Sequence, residues 1–114
     1  MNKTGFFVTT SCAIVLGAVA YFSGTSVSTA SDADKLYTTH CKACHGVDGK
    51  PTDLGVGLEA PDFTDAAWQG KTTDEGIIEQ INNGTPEKMM PFKEKLNPDE
   101  IQALVPVVRG FGKK

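Results

Sequence analysis

From Asn97 to Phe111 the apolar positions recur as Ile101, Leu104, Val105 and Val108, the i, i+3, i+4, i+7 spacing of one helix face. Asn97 stands as its cap, Pro98 at the first helical position and Glu100 at N3, so the start of this helix is marked three ways. Pro106 is discordant, because a proline there removes the bond to the Gln102 carbonyl and is expected to kink or shorten the helix. A second helix is predicted over "TTDEGIIEQINNG": Thr72 and Glu75 form a capping box, Ile77, Ile78 and Ile81 share a face, and Gly84 closes it. "SDADKLYTTHCKAC" predicts a third, capped by Ser31 or Asp32, with Leu36 and Tyr37 turned inward and Gly46 at its end. A turn of helix capped by Thr64 is expected at "TDAAW", and the glycine- and proline-rich run from Gly46 to Pro61 reads as one long loop. No strand-like alternation of useful length occurs, so the fold class is all-α, with short helices and long loops.

The N-terminal part follows a different pattern. Lys3 is its only charge before Asp32, and Gly5 to Phe22 is an apolar stretch of eighteen residues. That length lies between a secretory core of roughly 7–15 residues and a membrane span of about 20. Small residues at Ser28, Thr29 and Ala30 suit a signal peptidase, so residues 1–30 read as a signal peptide cleaved after Ala30, with a retained membrane anchor as the alternative. Either reading puts residues 31–114 outside the cytoplasm as one domain.

Composition narrows the function. All 14 acidic residues and 10 of the 11 basic ones fall after residue 30, a formal charge of −4 that offers no basic footprint for nucleic acid. An 84-residue domain buries a modest core. Its apolar inventory is short: Leu36, Tyr37, Phe63, Trp68, Ile77, Ile78, Ile81, Phe92, Leu96, Ile101, Leu104, Val105, Val108 and Phe111. A disulfide, metal or cofactor is expected to supplement it.

Two of the three cysteines and both histidines lie in "THCKACHG", Thr39 to Gly46. Cysteines three apart on a helix end project to one side, within reach of neighbouring substituents of a flat ligand. The next residue's imidazole comes from the same turn and can stand under that ligand's centre. Cys41-x-x-Cys44-His45 is thus the spacing for two thioether bonds to haem vinyl groups with the histidine on the iron. Zinc lacks a second cluster to complete a tetrahedron, a redox dithiol lacks a βαβ context, and a plain disulfide leaves His45 unexplained. Cys12 reads as an apolar filler of the leader, and His40 as a bystander. With no histidine after the motif, the soft ligands left for the second axial position are Met89 and Met90, adjacent in a polar loop where core packing does not explain them.

These segments resemble the small single-haem class I cytochromes c of bacteria along nearly all of residues 31–114. "LYTTHCKACHGVDG" is similar to the attachment helix, "APDF" to the proline segment, and "MMPFKEKLNPDEIQALVPVVRGF" to the methionine loop and last helix. The resemblance implies one covalent haem c. With the register set on Phe92 and the helix after it, it implies Met89 as the axial ligand, Met90 being the alternative chosen by anchoring on Pro91. It implies a Pro61 carbonyl accepting the N–H of His45, and Trp68 near a haem propionate. It further implies that the first and last helices pack, although Pro106 and Val107 depart from the usual pattern there. The expected function is extracytoplasmic electron carriage by Fe(III)/Fe(II) cycling, without catalysis, through transient docking to redox protein donors and acceptors. The alternative is an anchored subunit or relay of a respiratory oxidase or reductase, touching the membrane only if the N-terminal segment stays. Lys88, Lys93 and Lys95 near the methionine loop are offset by Glu87 and Glu94, so the surface there reads as mixed in charge.

Overall fold

The computed structural model describes residues 29–114, together with Gly17 and Ala18. The rest of residues 1–28, including most of the apolar stretch Gly5 to Phe22, Cys12, and Ser28 of the expected cleavage site, lies outside the described residues. Among those described, six helices follow in order: α1 (Ala30–His40), α2 (Lys42–His45), α3 (Asp53–Gly57), α4 (Ala66–Lys71), α5 (Asp74–Asn83) and α6 (Pro98–Phe111). The only β feature among them is an isolated antiparallel bridge between Thr85 and Met89. No helix among the described residues is long and apolar enough to cross a membrane.

Helix α6 follows the sequence pattern most closely. Asn97 accepts from the Glu100 N–H and the Glu100 carboxylate accepts from the Asn97 N–H, closing the capping box at 2.9 Å each way. Pro106 does not shorten it. The helix runs on to Phe111, because Pro106 and Gln102 both face outward and water can serve the carbonyl that has lost its N–H partner.

Other boundaries differ from expectation. Helix α1 starts earlier than Ser31 or Asp32 would cap it: the carbonyl of Thr29 takes the N–H groups of Asp32 and Ala33. The helix breaks at Cys41 (φ −116°, ψ −34°), so α2 is a separate turn carrying the C-x-x-C-H motif. Asp65, not Thr64, caps α4, since Thr64 is already bonded to Asp62. Thr73 rather than Thr72 caps α5, accepting from Gly76, while the Thr72 carbonyl receives Arg109 Nη2 at 2.6 Å. The run from Gly46 to Pro61 is not all loop; it holds α3, capped by Thr52.

Every residue of the apolar inventory lies in the core or against it: Leu36, Trp68 and Ile78 are partly buried and the rest are buried. Helices α1 and α6 pack despite Pro106 and Val107, with the Tyr37 and Phe111 rings 5.1 Å apart. Arg109 ties the end of α6 to the α4–α5 corner through Asp74, the Thr72 carbonyl, and both the carbonyl and side chain of Gln69. Gln69 in turn donates to the carbonyls of Phe63 and Val108.

Candidate haem site

The motif turn is clamped from three directions. The Tyr37 hydroxyl is directed at the carbonyls of Gly46 and His45, at 2.8 and 3.2 Å, and its burial raises the phenol pKa, keeping it a donor. Thr52 donates its hydroxyl to the Ala43 carbonyl at 2.7 Å and its N–H to the Cys44 carbonyl at 2.9 Å. Gly55 lies so close that a Cβ there would meet the Cys44 carbonyl oxygen at 2.0 Å. Removing the Tyr37 hydroxyl strands buried carbonyls, so Tyr37→Phe is expected to lower stability by about 1–2 kcal/mol with unchanged denaturant slope, measurable by urea unfolding.

Two adjoining cavities, of about 380 and 550 Å³, open above this turn. Cys41, His45, Glu59, Pro61, Thr85 and Met89 line both. Ile77, Ile81, Leu104, Val108 and Trp68 supply apolar walls to the first, and Cys44, Leu54, Leu58 and Met90 line the second. These volumes suit a cofactor-sized ligand.

His45 is buried and stacked on Phe63, ring centroids 4.5 Å apart at 12°. Burial pushes its pKa down, favouring the neutral imidazole that can ligate a metal. Its Nδ1 is buried with no hydrogen-bond partner, so the bond expected to the Pro61 carbonyl is not made, although Pro61 and His45 line the same cavities. A buried nitrogen without a partner is costly on its own, and it is the other ring nitrogen that is left to engage a ligand. Cys41 and Cys44 are free thiols; burial, then the nearby Cys44, pushes the Cys41 thiol up to about 11. Two thiols, an unpartnered imidazole, a thioether and apolar walls around cavities of this size fit a covalently held haem.

The two methionines are held differently. Met89 is half-buried against the core, and Gln80 Nε2 donates to its sulfur at 3.4 Å. Met90 is 55% exposed and its sulfur takes Lys95 Nζ at 3.5 Å. Trp68 packs on Phe63 at 5.0 Å along the first cavity. His40 stands edge-on to Phe92 at 5.9 Å and borders the second cavity. Lys88 pairs with Glu59 at that cavity's rim. Sequence reasoning misses Gln80, Glu59 and Thr52. Thr52 preceding Asp53 is a legible cap signal, whereas nothing local marks Gln80 or Glu59.

The family described as cytochrome c oxidase, cbb3-type, subunit III matches residues 28–106. The chain belongs to that family. It is 30% identical over 83 residues to the cbb3-type cytochrome c oxidase subunit FixP of Bradyrhizobium diazoefficiens, covering 73% of this chain and 28% of that protein. To FixP of Bradyrhizobium sp. strain ORS 278 it is 33% identical over 78 residues, 68% of this chain and 26% of the relative. The chain therefore spans less than a third of the length of these curated relatives. Among solved structures, the KustC0563 c-type cytochrome is 73% identical, with a TM-score of 0.69 over 69% of this chain and 95% of that one. A tyrosine-to-phenylalanine mutant of Kustc0563 is 72% identical, with a TM-score of 0.68 over 70% and 98% of the two chains. Membership of this family, with those structural neighbours, makes the chain an all-α, single-haem c-type cytochrome domain with one covalent haem c, working in electron transport.

Proposed function

We propose that the domain is an extracytoplasmic electron carrier in which Cys41 and Cys44 hold the haem through thioethers and His45 and Met89 occupy the two axial positions. The observation that carries this reading is that Cys41, His45 and Met89 line both cavities, whereas Met90 reaches only the second, from an exposed position. The haem supplies a one-electron Fe(III)/Fe(II) couple. The chain supplies the rest. With His45 and Met89 both holding the iron, no open position would remain for a substrate, so the role proposed is carriage. A histidine–methionine pair sets the potential above that of bis-histidine ligation, and the walls from Ile77, Ile81, Leu104 and Val108 disfavour the extra ferric charge. Pro61 and Trp68 border the cofactor space. Redox partners dock at the rim, where the Lys88–Glu59 pair and the neighbouring Lys93 and Glu94 make a mixed-charge surface suited to transient contact.

Absorption of the oxidised protein tests the ligand. The sulfur-to-iron band at the red end is expected to vanish in Met89→Ala and persist in Met90→Ala; the reverse pattern transfers the role to Met90. Rapid carbon monoxide binding by the native ferrous protein at neutral pH would replace the carrier by an open-site sensor or enzyme.

A second reading is favoured by the family and by the FixP relatives, which are named as oxidase subunits: the same domain serves as a relay within a membrane oxidase, tethered by its N-terminal segment. Mass spectrometry of the purified protein separates the two, Met1 at the N-terminus favouring the tether and Ser31 the free carrier.

A further inference from the structure

We infer that Gln80 selects Met89 over Met90 as the iron's ligand and tunes the potential through a hydrogen bond to its sulfur. This deepens the ligand assignment above and rests on it. Gln80 lies one residue before Ile81 on α5 and lines the first cavity together with Met89. Its Nε2 is 2.8 Å from Thr85 Oγ1 and 3.4 Å from Met89 Sδ, so one amide group holds both ends of the turn that carries the ligand. The backbone closes the same turn: Thr85 N–H donates to the Met89 carbonyl at 2.8 Å and Met89 N–H to the Thr85 carbonyl at 2.9 Å. The Met89 side chain therefore sits on the cavity side because a donor on α5 meets it there. Met90, next in the chain, is exposed and has its sulfur against Lys95 Nζ. The same pair of donors explains why adjacent, chemically identical residues take different faces.

The electronic effect follows from the direction of the bond. An N–H pointing at the thioether draws density from sulfur, which weakens its donation to iron, and the loss matters more for the electron-poor ferric state. The positive end of the amide dipole near the site acts in the same sense. Gln80 thus raises the potential, because its N–H is donated to the ligating atom itself.

The haem-loaded protein tests this by potentiometry and by the red-end absorption of the oxidised form. Gln80→Leu is expected to lower the midpoint potential by the equivalent of a three- to tenfold shift in the redox equilibrium, about 30–60 mV at 59 mV per decade. In the Gln80→Leu background, Met90→Ala is expected to remove part of the sulfur-to-iron band, although in the wild type it removes none. Gln80→Ala, exposed in α5 where alanine suits a helix, gives the same two readouts should the leucine variant fail to fold. An unchanged or raised potential, together with a Met90→Ala variant that stays silent in the Gln80 backgrounds, overturns the inference while leaving Met89 as ligand. A band that survives Met89→Ala overturns the ligand assignment itself.

Discussion

Gly84→Ala is expected to detach the Met89 segment from α5, weakening or abolishing the sulfur-to-iron band and lowering stability by about 2–4 kcal/mol. Gly84 ends α5 at φ 62° and ψ −162°, a region open essentially to glycine. Space forbids a side chain as firmly as the dihedrals do. A Cβ at Gly84 would lie 2.2 Å from the Met89 carbonyl oxygen, 2.7 Å from the Met90 carbonyl carbon and 2.8 Å from the Pro91 nitrogen. All three are backbone atoms, so no side-chain rotation relieves the clash; the methionine loop itself must move. Gly70→Ala is the matched control: it is helical in α4 with nothing within 4 Å of the place a Cβ would take, and it is expected to be neutral or stabilising by up to about 1 kcal/mol. Thermal unfolding of both variants, read with the red-end band of the oxidised protein, separates a local clash from a general intolerance of alanine.

The largest loss of stability is expected from Leu104→Ala, at about 3–5 kcal/mol. Leu104 is 1% exposed in α6 and also lines the first cavity, so its truncation opens space in the core and beside the cofactor at once. A domain of this size has a total stability of roughly 4–12 kcal/mol, so this one change consumes a large share of it. Urea unfolding of the haem-loaded protein is the measurement, with a lowered midpoint at similar slope as the expected outcome. A change below about 1 kcal/mol would mean that the α1–α6 contact repacks around the gap.

Helix α6, the inward residues of α5 and the attachment turn are legible in the sequence because their determinants are local. A capping box needs four consecutive residues, a helix face needs one spacing rule, and the C-x-x-C-H motif is a single turn. The boundaries that differ have a common cause. Thr72 has the right chemistry to cap α5, but its carbonyl is taken by Arg109, 37 positions away, and Thr73 caps instead. Helix α3 is hidden among glycines, since its support comes from Thr52 and Gly55 against the carbonyls of the attachment turn.

What the amino-acid sequence determined by itself is the all-α class and the apolar inventory of the core, and it supplied the residues proposed to hold a haem: Cys41, Cys44, His45 and a methionine at 89 or 90. Tertiary structure decided how those residues are held. It directed the two methionine sulfurs to different donors, Gln80 for Met89 and Lys95 for Met90. It left Nδ1 of His45 buried without a partner and set Gly84 against the backbone of the methionine loop. The physical reason is range. Propensity, capping and motif spacing act over a few residues, whereas a hydrogen-bond donor or a close backbone contact is chosen by whichever distant segment the packed core brings within about 3 Å.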